Sequence, residues 1–178
     1  NIMSKNAILI YSSIDGQTSK ISEYLREKCK RTISFKLKPI HDTKNINLNE
    51  YEIIIIGACI RYGKHNSEVI RLVKENLEVF NNKKTAFFSV NAVARKPGKD
   101  LSSNNPYVIK FLNKTNWKPK ISAVFAGKID YPKYKFFEKI IIRFIMFITN
   151  GPTDTSKSYE FTNWLKVDEF AAELNDKF

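Results

Sequence analysis

Four short apolar runs constrain this chain more than any other feature: Ala7-Ile8-Leu9-Ile10-Tyr11, Ile53-Ile54-Ile55-Ile56, Ala86-Phe87-Phe88-Ser89-Val90 and Ile121-Ser122-Ala123-Val124-Phe125-Ala126. Each is continuous rather than alternating. A strand with one wet face alternates, so continuous runs predict strands buried on both faces. A fifth run, Ile33-Ser34-Phe35-Lys36-Leu37, does alternate and reads as an edge strand. Between the runs lie stretches with helical spacing: Ile21, Tyr24, Leu25 and Lys28, then Val69, Leu72, Val73, Leu77 and Phe80, then Tyr107 to Leu112, and last Trp164 to Leu174. Strand and helix in alternation predict an α/β fold, a doubly wound parallel sheet covered by helices on both faces.

The chain has 178 residues, which predicts one domain, from Met3 to Phe178. Asn1-Ile2 ahead of Met3 reads as a cloning remnant. Hydrophobic residues at 43% and charged residues at 27% exclude disordered, collagen-like and coiled-coil classes. The net charge of +12 asks for an acidic partner: nucleic acid, an anionic membrane surface or a carboxylate-bearing substrate. Nucleic acid is the weakest of these, because no helix-turn-helix, RNP or zinc pattern is present. Two cysteines make no disulfide framework, two histidines leave little for a metal site, and a reducing compartment is the simpler reading. No stretch reaches the roughly 18 apolar residues of a spanning helix, and the first apolar run is too short for a signal peptide.

One segment breaks the rhythm. Residues 128–157 separate the fourth run from the last helix, and Tyr134 to Thr149 within them is mostly Ile and Phe. At helical spacing Lys135, Glu138, Lys139 and Arg143 fall on one side and apolar residues cover the rest. Sixteen helical residues reach about 24 Å, short of a hydrocarbon core of about 30 Å. The composition predicts an interfacial anchor lying on a membrane, with Phe136, Phe137, Ile140, Ile141, Phe144, Ile145, Phe147 and Ile148 as its contact face. The competing readings are a core helix and a homo-oligomer interface.

In a doubly wound sheet, ligands sit beyond the carboxyl ends of the strands. After the first strand come Ser12, Ser13, Ile14, Asp15, Gly16, Gln17 and Thr18, then a helix. Hydroxyls and a glycine at a helix start make a phosphate cradle. The plainer reading is a capped turn with Asp15 or Ser13 as N-cap. After the third run, Gly57-Ala58-Cys59-Ile60-Arg61-Tyr62-Gly63 suits a loop against a flat ring, or an ordinary connection. After the fourth come Ser89, Val90, Asn91, Ala94, Arg95 and Lys96, able to line the ring's other edge. There is no G-x-G-x-x-G, and Gly57 with Gly63-Lys64 has the wrong spacing for a Walker loop.

The strings Asp15-Gly16-Gln17-Thr18, Ile60-Arg61-Tyr62-Gly63, Ser89-Val90-Asn91 with Ala94-Arg95-Lys96-Pro97, Tyr131-Pro132 and Thr153-Asp154-Thr155 resemble those of the quinone-dependent protoporphyrinogen oxidases of the flavodoxin superfamily. The resemblance runs from Ala7 to Leu174. It implies a flavodoxin-like five-stranded sheet of order 2-1-3-4-5, of the long-chain type with the apolar insertion in the last strand. It implies non-covalent FMN, held by Ser12 to Thr18, Ala58 to Gly63, Ser89 to Asn91, Ala94 and Arg95. It implies six-electron oxidation of protoporphyrinogen IX to protoporphyrin IX in haem biosynthesis, with electrons passed to a membrane quinone. The flavin then does the redox chemistry, so no residue is assigned as catalytic. Arg61, Arg95 and Lys96 are candidates for the substrate's propionates. The location implied is cytoplasmic, at the inner face of the cell membrane. The rival readings are a flavodoxin-type electron carrier, a class that is typically acidic, and an NAD(P)H-quinone reductase.

Overall fold

The computed structural model describes residues 3–178, so the reading of Asn1-Ile2 lies outside the described residues. Elements follow in the order β1 (Lys5–Ser12), α1 (Gln17–Cys29), β2 (Ile33–Pro39), β3 (Ile53–Arg61), β4 (Lys64–His65), α2 (Ser67–Glu75), α3 (Leu77–Asn82), β5 (Lys84–Val90), α4 (Pro106–Thr115), β6 (Ile121–Phe125), β7 (Lys128–Asp130), α5 (Phe136–Ile148), β8 (Ser158–Glu160) and α6 (Trp164–Lys177). The main sheet runs β2-β1-β3-β5-β6, all parallel, with β4 added antiparallel to β3.

The continuous apolar runs are explained by the two faces of this sheet. Ala7 and Leu9 of β1, with Ile53 and Ile55 of β3, pack under α1 and α6 against Ile21, Leu25, Phe170 and Leu174. Their neighbours Ile8, Ile10, Ile54 and Ile56 pack on the other side with Val69, Val73, Phe80, Phe111 and Trp117 of α2, α3, α4 and the following loop. Each such fully buried aliphatic chain contributes about 1.5–3 kcal/mol over leaving it wet. The chain turns one way from β1 to β2 and the other way from β1 to β3, and this reversal opens a crevice at the carboxyl ends of β1 and β3.

Several boundaries differ from the sequence reading. Gly57 to Arg61 is not a loop: β3 continues through Arg61, and Tyr62-Gly63 turns it into β4 in register Ile60↔His65 and Arg61↔Lys64. Tyr62 (φ 50°) and Gly63 (φ 75°) are both left-handed, the backbone that tight two-residue hairpins require. Gly57 is small for the sake of the core, since a Cβ there would lie 2.2 Å from Cζ of Phe88. The stretch from Val69 to Phe80 is two helices, parted at Asn76, whose side chain donates to the Leu72 carbonyl. The insertion follows β6 rather than interrupting it. Its flanks β7 and β8 pair antiparallel in a sheet of their own, and Phe161 N–H then rejoins the Gly127 carbonyl at 3.0 Å. Its helix has thirteen residues, not sixteen.

Candidate functional site

The turn after β1 ends in an unusual helix start. Gly16 (φ +89°) occupies the N-cap of α1 with no side-chain cap, so neither Asp15 nor Ser13 is the cap. Asp15 stands one residue earlier and accepts the Gln17 N–H at 3.2 Å. Burial pushes its carboxyl above the usual range. The Ser13 hydroxyl lies 3.4 Å from the Ser19 N–H. No acidic residue falls in the first turn of α1. Two hydroxyls here are buried without a hydrogen-bond partner, Ser12 Oγ and Thr18 Oγ1. An orphaned buried hydroxyl costs about 1–3 kcal/mol. Gln17, by contrast, is engaged within the protein, donating to Glu160 Oε1 at 2.7 Å and Thr162 Oγ1 at 2.9 Å.

Beside this turn a cavity of about 200 Å³ opens between the ends of β3 and β5 and the inner face of α5. Ile14, Asp15, Cys59, Ile60, Arg61, Tyr62, Gly63, Val90, Asn91, Arg95 and Lys96 line it. Ala58, Ser89 and Ala94 do not, and they point into the interior. Burial raises the Cys59 thiol above its ordinary range and keeps it protonated. The floor is fixed by a buried polar chain. His65 Nε2 meets Ser89 Oγ at 2.8 Å, Asn91 Nδ2 donates to Ser89 Oγ at 3.1 Å, and Asn91 and Asn105 exchange hydrogen bonds at 3.1 and 3.2 Å. Asn91 Oδ1 also accepts the Ala94 N–H at 3.1 Å, which holds the segment carrying Arg95 and Lys96. Burial lowers His65 to about 4, so its ring is neutral at physiological pH.

The roof is α5, and sequence reasoning had not placed it over the site. Glu138, Ile142, Ile145, Met146 and Thr149 face the cavity. Arg61 Nη2 pairs with Glu138 Oε1 at 3.0 Å at one end of the helix. At the other, Arg95 donates to the Ala92 carbonyl at 2.7 Å, the Thr149 carbonyl at 3.2 Å and Thr149 Oγ1 at 3.1 Å. Gly151 makes room for this, since a Cβ there would fall 3.0 Å from Arg95 Nη2 and 2.6 Å from Met146 Sδ. Only Met146 of α5 is fully buried. Phe136, Phe137, Ile140, Ile141, Phe144, Ile145, Phe147 and Ile148 are all exposed, Phe137 at 77%. No helix among the described residues is long and apolar enough to cross a membrane, and none of their His, Cys, Asp and Glu side chains cluster as a metal site.

Such a sheet, with a hydroxyl-rich turn at its switch point and a crevice beside it, defines a class. The chain belongs to the flavodoxin domain family, whose model it matches over residues 8–156. It is 37% identical over 168 residues to the protoporphyrinogen IX dehydrogenase [quinone] of Escherichia coli K12, covering 94% of this chain and 93% of that one. It is 37% identical over 173 residues to the enzyme of the same name from Leishmania major, covering 96% and 75%. Among solved structures it resembles the oxidised flavodoxin 1 of Bacillus cereus (TM-score 0.55, 15% identity, 97% and 99% covered). It also resembles an FMN-complexed flavoprotein of Lactobacillus acidophilus (TM-score 0.50, 18% identity, 68% and 93% covered). These two share its fold.

Proposed function

We propose that this chain is an FMN-dependent dehydrogenase that oxidises protoporphyrinogen IX to protoporphyrin IX in haem biosynthesis and passes the electrons to a membrane quinone. The observation that carries this is the extent of the match. Identity of 37% over 94% of the chain leaves too few residues for the insert or the cavity loops to fall outside it. An acidic electron carrier fits poorly with a net charge of +12.

The residues present fit the cofactor. Ser12 and Thr18 have buried hydroxyls free to donate to a phosphate, and Gly16 at the start of α1 has no side chain to cap it or to crowd an anion there. Ser13 and the amide of Thr18 complete the cradle. Ile14, Cys59 to Gly63, and Val90 to Asn91 form the ring's walls, with Ala58, Ser89 and Ala94 behind them as support. When bound, FMN supplies the acceptance and onward passage of electrons, and the protein positions the partners. Ile142, Ile145 and Met146 exclude water above the ring and offer an apolar surface to porphyrinogen and quinone. Lys96, which no ion pair holds among the described residues, and Arg61 are assigned to the propionates. Arg95 is assigned to holding α5, because its guanidinium is already engaged at both ends of its fork.

The outer face of α5 is assigned to the membrane. Thirteen residues make a helix of about 20 Å, suited to lying in the interface. Lys135, Lys139 and Arg143 repeat at intervals of four and meet anionic headgroups, each adding about 1 kcal/mol near the surface. Binding to anionic vesicles accordingly weakens with salt while an apolar part persists.

The test is anaerobic. FMN-loaded protein is mixed with protoporphyrinogen IX and a menaquinone analogue, and porphyrin fluorescence is followed. Fluorescence should rise only with quinone present. Rapid flavin reduction by NADPH with no porphyrin formed would establish the quinone-reductase reading instead.

A further inference from the structure

Glu138 is out of place by the rules of its own helix. Its neighbours Phe136, Phe137, Ile140 and Ile141 face outward, while this carboxylate turns inward to 14% side-chain exposure beside an apolar roof. What it meets there is Arg61, 45% exposed, at 3.0 Å. Arg61 is held for this encounter: it ends β3, and its guanidinium lies 5.2 Å from the ring of Tyr62 in the left-handed turn. Of the other cations near the cavity, Lys96 has no ion-pair partner among the described residues, and the rest are differently occupied. Arg95 is bound to carbonyls and a hydroxyl, and Lys128 lies 3.5 Å from Asp130. Arg61 is the guanidinium whose partner is a single exchangeable carboxylate.

We propose that Glu138 is a built-in stand-in for a substrate carboxylate: it occupies Arg61 until a propionate of the tetrapyrrole displaces it, and so keeps Arg61 paired while the site is without substrate. This rests on the activity proposed above. The exchange forms one guanidinium–carboxylate pair as another breaks, so Arg61 keeps a partner while Glu138 is released. The released Glu138 lies in the first turn of α5, where the helix dipole favours a negative charge. Without a stand-in, an unpaired Arg61 would accept other anions in its place. A neutral quinone has no carboxylate to offer and leaves the latch shut.

The test uses FMN-loaded protein, titrated by fluorescence with protoporphyrin IX and with its dimethyl ester, which is neutral. Glu138→Gln should bind the diacid about two- to five-fold tighter, the range set by release of a half-exposed ion pair, and the ester no differently. In an Arg61→Gln background the same change should leave diacid binding where it was. In turnover, the KM for protoporphyrinogen should fall while that for quinone stays. Diacid binding that is unchanged or weakened, or a gain shared equally by the ester, overturns the inference. A parent that oxidises protoporphyrinogen, yet whose Glu138→Gln variant titrates as it does, overturns this inference alone. A parent that binds the diacid but forms no porphyrin from protoporphyrinogen overturns the proposed activity alone.

Discussion

The floor and the roof of the cavity are built on opposite principles. The floor is strand ends and a buried, hydrogen-bonded chain from His65 of β4 through Ser89 of β5 and Asn91 to Asn105, the N-cap of α4. The roof is a helix with one fully buried residue, Met146, its aromatics outward and its acid inward, held by Arg61 at one end and Arg95 at the other. The floor owes its stability to the fold, so changing it should register as folding free energy. The roof contributes little core, so changing it should register in what the protein docks to. An apolar surface of this size is rarely left wet on a monomer.

The largest expected effect breaks the roof. Replacing Phe144 and Ile148 with Ser removes two large exposed side chains from the outer face of α5. With about 1.5–3 kcal/mol each at stake, binding to anionic vesicles should fall by about a hundred-fold or more. Turnover with a lipid-embedded quinone should fall with it, while FMN affinity and thermal stability hold. Full activity with lipid-embedded quinone in the double variant would make the helix structural or oligomeric.

The second prediction tests the floor. The folded pKa of His65, about 4, lies below its ordinary value of 6.5. Below 6.5 the unfolded chain takes up a proton that the folded one refuses, so stability is lost as pH falls from 6.5 toward 4. At pH 4.5 that amounts to roughly 2–3 kcal/mol. Denaturant unfolding at pH 7 and pH 4.5 should show a loss this much larger in the parent than in His65→Gln. Equal losses would mean that the ring is not isolated from solvent.

How legible these two regions were follows from the same contrast. The strands were plain in the sequence because burial on both faces forces continuous apolar runs, and the parallel order followed from the helices between them. The end of β3 was hidden, because Gly57 to Arg61 mixes small, apolar and basic residues. Their strand state is fixed by pairing with β4, a hairpin that only two left-handed residues permit. The polar floor was invisible, since its members come from three separate segments and meet only after folding. The helix start after β1 was legible by its hydroxyls and glycine, although the cap fell on Gly16 instead of Asp15 or Ser13. The composition of α5 was legible and its orientation was not. Periodicity groups Glu138 with Lys135, Lys139 and Arg143, whereas in the fold Glu138 sides with Ile142, Ile145 and Met146 toward a cavity wall that carries Arg61, Arg95 and Lys96.

The third prediction sharpens the contrast within the cradle itself. Thr18→Val keeps the shape of the side chain and removes a buried hydroxyl that lacks a partner. The apo protein should become about 1 kcal/mol more stable, while FMN binds about ten-fold or more weakly, through loss of a hydrogen bond to a charged group. These opposite signs, read by thermal unfolding and by isothermal titration, are what a site built for a ligand produces. Matching signs would mark Thr18 as ordinary core.

The smallest effect belongs to Asp15. Its carboxyl is raised by burial, and it stands beside the turn assigned to a phosphate. A buried acid with a raised pKa is a liability in its ionised form: folding is penalised above that pKa, and the penalty fades as pH falls through it toward 3.8, the unfolded value. Ionised Asp15 also repels a phosphate. Asp15→Asn retains an oxygen to accept the Gln17 N–H and removes the charge. At neutral pH the variant should therefore be slightly more stable and bind FMN about two- to five-fold tighter, within the usual range of one partly screened charge pair. Acidification confounds the parent, because the phosphate loses charge as well, with a second pKa near 6 for phosphate monoesters. The decisive quantity is the ratio of FMN affinities, variant to parent, measured across pH. It should narrow as pH falls and Asp15 takes up its proton. A ratio that stays constant with pH would mean that the carboxylate is turned from the phosphate and acts only as a hydrogen-bond acceptor at the start of α1.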